Sequence, residues 1–228
     1  MQVPDIRVAC SWSSGKDSCL ALDRAIRSGF KVEYLVNFIS KEYQRVAFHG
    51  APAELAYLQS EALGIPLFQR ETTKDNYEAV FRRTMAELKT LDIHQLVRGD
   101  IFLIDLRDWV EDVCASEGIK VISPIWGYPP EDLIREFVRL GFKSVLTSVQ
   151  ADKLNESWIG RTIDDKLIED LKSVPGVDLC GENGEFHSLV YDGPIFKKMI
   201  KIMQTEKVLR DNYWFLDIQK YALETKGE

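Results

Sequence analysis

The chain lacks the marks of several common protein classes. Its cysteines include no C-x-x-C pair and no histidine at metal-ligand spacing, which argues against a zinc site or a redox pair; they are Cys10, Cys19, Cys114 and Cys180. No apolar run approaches the roughly 20 residues of a membrane span, so no membrane partner is expected. The first residues show no basic segment followed by an apolar one, which predicts no signal peptide and a cytoplasmic location.

The sequence also has fewer basic than acidic residues. The sequence has 29 Lys+Arg against 36 Asp+Glu, a formal net charge of −7. A protein that neutralises many phosphates usually has the opposite balance, so a dedicated nucleic-acid binder is not expected, although a local basic cleft is compatible with this charge. The remaining composition, 228 residues with 45% hydrophobic and 29% charged, is that of a globular chain of one or two domains.

A repeated glycine is the main indication of the fold. Gly29, Gly64, Gly118 and Gly141 each separate a helical pattern from a short apolar run. Glycine adopts the left-handed conformation that ends a helix, so these junctions predict βαβ units in an α/β, Rossmann-like, doubly wound and mainly parallel sheet. Strands are predicted near 6–12, 32–39, 66–70, 95–98, 119–123 and 144–150, and helices near 16–28, 52–63, 75–90, 104–117 and 130–140.

The pattern changes after residue 150. A helix is predicted over 163–174, whereas residues 179–191 and 199–222 alternate apolar with polar side chains. Within the first of these segments, Asn183-Gly184 predicts a two-residue hairpin turn. We therefore predict one domain over residues 1–150 and a smaller, mainly antiparallel α+β domain over residues 151–228.

A Ser/Gly loop follows the first predicted strand and precedes the first predicted helix. It reads SSGKDS over residues 13–18. Converging backbone N–H groups and the positive end of a helix dipole favour anions at such a loop, and Lys16 adds a positive charge. The loop is therefore predicted to bind phosphate, against the alternative of a serine-rich helix start with a solvated Lys and Asp.

Counting decides which kind of phosphate loop this is. Cys10 stands where a Walker A loop needs its first glycine, Asp17 follows Lys16 in place of Ser or Thr, and G-x-G-x-x-G is absent. The remaining S-x-G-K-D-S pattern resembles the PP-loop of the adenine nucleotide alpha-hydrolase superfamily. That resemblance implies binding of the pyrophosphate part of ATP and cleavage to AMP and pyrophosphate. The superfamily more often has glycine at the position of Ser14, and serine tolerates a positive φ less well.

Further motifs narrow the resemblance to one family. They are FHGAP at 48–52, QSEALGIP at 59–66, RGDI at 98–101, RDWVEDVC at 107–114, PIWG at 124–127 and GENGEFHS at 181–188. Together with the loop they extend from about residue 6 to 196, and they resemble the diphthine-ammonia ligase family. The GENGEFHS block is the most specific of them.

The resemblance implies an AMP-forming ligase. In that family, ATP converts the carboxylate of diphthine, a modified histidine of translation elongation factor 2, into an acyl-adenylate, and ammonia displaces AMP to form diphthamide. ATP and ammonia are then substrates, Mg²⁺ accompanies the phosphates, and elongation factor 2 is the protein partner in an archaeal or eukaryotic source. Such chemistry requires positioning of the carboxylate and stabilisation of charge at the phosphate.

Residue roles follow from the motifs. Phosphate contacts are predicted for Ser13, Ser14, Gly15 and Ser18, with Lys16 neutralising the charge and Asp17 either capping the helix or holding Mg²⁺. Asp100, next to Gly99 at the carboxyl end of the fourth predicted strand, is either a Mg²⁺ or adenylate ligand or the N-cap of the next helix. His49 is a candidate nucleotide contact, against a loop histidine without a catalytic role.

The 182–187 block is the predicted reaction centre, against the alternative of a plain hairpin. Substrate or ammonia handling is assigned to Glu182, Asn183, Glu185 and His187, with Glu185 or His187 as the base. Diphthine also carries a trimethylammonium group, for which aromatic faces are suitable partners. Trp126 and Trp158 are candidates for that contact, with core packing as the alternative for each.

Three other functions stay open. They are a tRNA-modifying PP-loop chemistry, a family member acting on a different carboxylate as in bacteria, and an ATP-binding module without catalysis. The lack of paired cysteines and the charge of −7 argue against the first, and the charged GENGEFHS block argues against the last. An apolar stretch in the C-terminal strands is explained equally well by a homodimer and by core packing.

Overall fold

Two sheets organise the chain. The computed structural model describes residues 6–46 and 51–227. Its helices and strands follow in the order β1 (Arg7–Ser11), α1 (Lys16–Arg27), β2 (Lys31–Ser40), β3 (Arg45–Val46), α2 (Ala53–Leu63), β4 (Leu67–Thr72), α3 (Tyr77–Thr90), β5 (Gln95–Val97), α4 (Ile104–Ser116), β6 (Lys120–Ile122), α5 (Pro130–Arg139), β7 (Lys143–Gln150), α6 (Asp165–Lys172), β8 (Phe186–Asp192), β9 (Lys198–Arg210) and β10 (Tyr213–Thr225).

The first sheet is mainly parallel, which confirms the predicted α/β class. Strands β2, β1, β5 and β6 lie side by side in that order, β4 pairs parallel with β2, and the short β3 pairs antiparallel with the end of β2. From β1 the chain continues to β2 on one side, and it later returns to β5 on the other side of β1. The sheet order therefore reverses at β1, and ligands bind at such a switch point. The four predicted helix-ending glycines have φ between 70° and 88°.

The second sheet is antiparallel, in the order β8, β7, β10, β9. It includes β7, so the prediction that residues 144–150 extend the parallel sheet was wrong. The helix, glycine and strand pattern around Gly141 identifies a strand but not its neighbours, and β7 pairs antiparallel with β8 and β10. The functional division of the chain at residue 150 stays a prediction.

The tight hairpin lies elsewhere than predicted. Asp211 and Asn212 connect β9 to β10 with φ of 47° and 64°, as a type I′ turn requires at both central residues. In the predicted pair Asn183-Gly184, by contrast, Gly184 has a positive φ and Asn183 does not. That pair belongs to the loop between α6 and β8, so the hairpin prediction was wrong.

Apolar packing joins the two sheets. One buried cluster includes Val8 of β1 and Leu22 of α1, and also Leu189 and Ile200 from the antiparallel sheet. A second cluster lies on the other face of the parallel sheet, between it and helices α3 and α4. All four cysteines are buried and unpaired, as small hydrophobic side chains usually are. Within the described ranges no helix is long and apolar enough to cross a membrane.

Candidate active site

A cavity of about 720 Å³ opens where β1, β2 and β5 end. Its wall consists of the loop after β1, residues 36–38 of β2, the segment after β5, and residues 180–188 leading into β8. The cavity therefore brings the predicted phosphate loop and the GENGEFHS segment, more than 150 positions apart in the sequence, to one space. His49 lies outside the described residues.

The phosphate loop adopts a positive φ at Ser14, the position where related loops more often have glycine. Ser14 has a φ of 73°, a left-handed conformation that costs a non-glycine residue about 1–2 kcal/mol. Gly15 forms the N-cap and α1 begins at Lys16, so the positive end of the helix dipole faces the cavity. The Ser18 hydroxyl closes the loop: it donates to the Gly15 carbonyl at 3.0 Å and accepts from the Ser13 N–H at 3.3 Å.

Gln59 on α2 holds this loop in place. Its side-chain N–H groups donate to the carbonyls of Ser14, at 3.0 Å, and Val190, at 2.7 Å, and its oxygen accepts from the Trp12 indole N–H at 2.8 Å. Val190 in turn donates its N–H to the Ser14 carbonyl at 3.0 Å. The fully buried Gln59 thus connects the strained residue of the phosphate loop to β8.

We predict that Gln59→Leu lowers both stability and ATP affinity. The change removes three buried hydrogen bonds and leaves two carbonyls and an indole N–H short of a partner, at a cost of about 2–4 kcal/mol in the free energy of unfolding. Denaturant unfolding and ATP titration measure the two effects, with Ser60→Ala on the same helix as the control. Unchanged ATP affinity in a folded Gln59→Leu protein would show that the loop does not depend on this contact.

Lys16 lies at the junction of the two motifs. Its ammonium donates to Asp17 Oδ2 at 2.8 Å and to the carbonyl of Cys180, and lies 5.0 Å from the centre of the Phe186 ring. Burial would lower the pKa of Lys16, but the adjacent Asp17 carboxylate, together with Cys180 and Glu182, acts in the opposite direction, and the net effect raises it. A positive charge therefore lies between the phosphate loop and the segment before β8.

The loop after β5 approaches the phosphate loop closely. A Cβ on Gly99 would lie 2.8 Å from backbone atoms of Asp17 and Ser18, so a larger residue would displace the start of α1. Asp100 forms a bidentate pair with Arg98, at 2.6 and 2.7 Å. The N-cap of α4 is Leu103, so the alternative that Asp100 caps that helix was wrong.

The two acidic groups named from the sequence as possible magnesium ligands each have a cationic partner. Asp17 is paired with Lys16 and Asp100 with Arg98, and the described part of the chain brings together no group of three His, Cys, Asp or Glu side chains fit to hold a metal ion. Asp17 lies in the first turn of α1 and is not its N-cap. Mg²⁺ on a nucleotide usually takes only one or two protein carboxylates besides the phosphates, so Mg²⁺ ligation by Asp17 or Asp100 stays a prediction.

Glu185 holds the loop that carries the GENGEFHS motif. Its carboxylate is 1% exposed and accepts hydrogen bonds from the N–H of Asp178 at 3.0 Å and from the N–H and side-chain amide of Asn183 at 3.1 and 3.2 Å. Burial would raise the pKa of Glu185, but these donors outweigh it and lower the pKa. The arrangement suits a positioning residue; the catalytic role of Glu185 stays a prediction.

Glu182 and His187 line the cavity itself. Glu182 accepts the N–H of Ile101 at 2.8 Å, and burial, with the nearby Asp17 carboxylate adding to it, raises its pKa to about 7. Burial and the Lys16 charge lower the pKa of His187 to about 4. Sequence reasoning named Glu185 or His187 as the base; a raised pKa and a place in the cavity wall make Glu182 a further candidate, and the identity of the base stays a prediction.

Sequence reasoning gave no role to several aromatic residues of the cavity wall, among them Tyr77 and Trp109. The ring centres of these two residues lie 6.1 Å apart. The rings of the two tryptophans named from the sequence, Trp126 and Trp158, are packed against the guanidinium groups of Arg107 and Arg161. Trp109 belongs to the RDWVEDVC motif, which was the available signal; Tyr77 belongs to none of the quoted motifs.

The fold and the site define a nucleotide-binding α/β protein, because a Ser/Gly loop and a helix start lie at the switch point of a parallel sheet, where such folds bind nucleotides. The chain belongs to the diphthamide synthase family. The model of the diphthamide synthase N-terminal domain matches residues 6–121, and that of the C-terminal domain matches residues 129–223. The resemblance found in the motifs is thereby confirmed.

Individual relatives agree with the family. A diphthine–ammonia ligase of Mus musculus is 28% identical in an alignment of 234 positions that covers 90% of this chain and 85% of the relative. That of Danio rerio is 26% identical over 98% of both chains. A solved structure, a predicted subunit of tRNA methyltransferase from Methanocaldococcus jannaschii, covers 84% of this chain and 98% of its own at 15% identity and a TM-score of 0.45.

Proposed function

We propose that the protein catalyses ATP-dependent amidation of the diphthine carboxylate on translation elongation factor 2, with release of AMP and pyrophosphate. The observation that carries the proposal is the shared cavity of the phosphate loop and the GENGEFHS segment, with Lys16 between them. Membership of the diphthamide synthase family and relatives named diphthine–ammonia ligase support the choice of reaction and acceptor.

The first half-reaction makes the leaving group. A carboxylate oxygen of the acceptor attacks the α-phosphorus of ATP, a new P–O bond forms, and the bond to the β-phosphate breaks so that pyrophosphate leaves. Ser13, Gly15 and Ser18, which line the cavity, hold the departing phosphates at the start of α1, and Lys16 stabilises their negative charge. Ser14 was also predicted to contact phosphate, but it is fully buried and does not line the cavity; it shapes the loop instead. Such stabilisation by fixed charges and dipoles is stronger in a buried site than in water.

The second half-reaction makes the amide. Ammonia attacks the acyl carbon, the C–N bond forms, and AMP leaves with the oxygen that came from the acceptor. One proton of the attacking nitrogen must be removed, and the Glu182 carboxylate, with its pKa of about 7, is the base suited to accept it. Glu185 supports this step indirectly, because it fixes the loop that presents Glu182.

The acceptor's quaternary ammonium has suitable partners in the cavity wall. The ring faces of Tyr77 and Trp109 attract a cation. Mg²⁺ bound with the phosphates of ATP stays a prediction, with Asp17 and Asp100 as its candidate protein ligands, and no step above depends on it. Homodimer formation also stays a prediction.

Product analysis with and without the acceptor tests this function. We expect AMP and pyrophosphate in equal amounts only when ATP, ammonia and diphthine-bearing elongation factor 2 are all present, and an amidated factor as the third product. AMP release that ignores the factor would indicate a different acceptor. No AMP under any condition would leave an ATP-binding module, and AMP formation that requires tRNA would indicate a nucleic-acid substrate.

A further inference from the structure

An exposed apolar patch borders the mouth of the cavity. It consists of Phe102, Ile104 and Leu106, whose exposed fractions are 37%, 62% and 40%. Phe102 lies in the segment between β5 and α4, and Ile104 and Leu106 lie in the first turn of α4. We refer to these three side chains as the rim patch.

The rim patch differs from the isolated hydrophobic residues found elsewhere on the surface. Its three members fall within five consecutive positions, whereas other large exposed hydrophobic residues, such as Ile26 and Leu209, stand apart along the chain. Single apolar residues on a surface are ordinary, but several exposed within one short segment that also lines a ligand cavity are typical of an interaction site. Neither the phosphate contacts nor the acid–base groups of the cavity account for it.

The patch is continuous with the cavity. Leu106 contributes both to the exposed patch and to the cavity wall, and its neighbour Leu103 also lines the wall. Phe102 and Ile104 flank the wall residue Leu103 in the sequence, so a molecule that leaves the cavity along this wall meets the rim patch. Asp105 and Asp108 are exposed next to it, and Arg107 between them is paired with Glu111, so the two aspartates leave negative charge beside the apolar residues.

We infer that the rim patch is the docking surface for the protein that carries the acceptor, and this inference rests on the proposed function. The reactive carboxylate belongs to a side chain of a folded protein, so it must enter the cavity while the surrounding polypeptide stays outside. The surface next to the modified histidine then lies on the rim. The expected partner surface has an apolar centre flanked by Lys or Arg, complementary to Asp105 and Asp108.

The test compares kinetics with the intact acceptor protein. Ile104→Ser and Phe102→Ser should each raise the KM for the acceptor protein about tenfold, as loss of a central apolar contact does, with kcat at saturation and the Kd for ATP unchanged. Ile104→Val, which keeps an apolar side chain, should restore the wild-type KM. Met203→Ser on β9, a residue with 54% exposure, is the matched control and should have no effect.

Two results would overturn the inference. An unchanged KM in both serine variants, with wild-type melting temperature, would show that the rim patch does not contact the acceptor protein. A dimeric wild type that becomes monomeric on Ile104→Ser, measured by sedimentation, would show that a second copy of this chain covers the patch. If the wild type turns over the acceptor protein and the variants behave like it, only the docking surface is rejected. If the wild type is inactive on the acceptor protein, both the proposed function and the docking surface are rejected.

Discussion

Replacing Lys16 by methionine is expected to lower kcat/KM for ATP about 10²–10³-fold, which is the usual loss when one fixed charge or donor to a transition-state oxyanion is removed. Methionine keeps an unbranched apolar side chain of similar length against Phe186, so the variant removes charge with little change in packing. The lost interaction stabilises pyrophosphate as it leaves. Binding of ATP should weaken as well, because the ground-state phosphates lose the same partner.

Steady-state AMP formation and ATP titration measure the two effects of this substitution. Lys166→Ala removes a positive charge from an exposed position on α6 and is the matched control. Lys16→Arg tests the geometry, since a planar guanidinium does not reproduce a compact ammonium held by Asp17 and the Cys180 carbonyl. A Lys16→Met protein with kcat/KM near the wild-type value would exclude Lys16 from the reaction.

Replacing Glu182 by glutamine should remove a titration from the pH profile and lower kcat about 10²-fold, as loss of a general base does. In the wild type, kcat/KM should rise with pH through about 7, because the carboxylate form of Glu182 accepts the proton. The variant should lack this rise. The comparison requires a constant concentration of free ammonia, and Glu42→Gln, at an exposed position, is the control.

The same substitution has an opposite effect on stability. Folding raises the pKa of Glu182 from 4.5 to about 7, so the folded chain binds this proton more tightly than the unfolded chain. Glu182 therefore destabilises the fold increasingly as pH rises from about 4.5 through about 7. Denaturant unfolding should show Glu182→Gln gaining stability relative to wild type between pH 5 and pH 8. A stability difference that does not change with pH would contradict the raised pKa.

Local features of the site could be predicted from the sequence. The phosphate loop is a contiguous strand, turn and helix start, and its anion-binding character depends on residues next to one another. The helix-ending glycines are similarly local, and Gly29, Gly64, Gly118 and Gly141 all have the expected positive φ. Motif resemblance added the family, which matches nearly the whole chain.

Contacts between distant segments could not be predicted in the same way. Gln59 reaches Val190, 131 positions away, and no local pattern indicates that contact. Choosing Glu182 over Glu185 depends on which carboxylate faces the cavity and which is surrounded by N–H donors, and alternation along a strand does not distinguish them. The hairpin at Asp211 and Asn212 was not predicted. The two-residue turn singled out from the sequence was Asn183-Gly184, a strong local signal, but that pair lies in a loop.

Isotope transfer tests the central claim, the acyl-adenylate route to the amide, most directly. The acceptor carboxylate is labelled with oxygen-18, the reaction is run with unlabelled ATP and ammonia, and the nucleotide product is analysed by mass spectrometry. The account predicts one labelled oxygen in AMP for each amide formed, because the attacking carboxylate oxygen leaves with the phosphate. Label in inorganic phosphate together with ADP, or amide formation with unlabelled AMP, would contradict it.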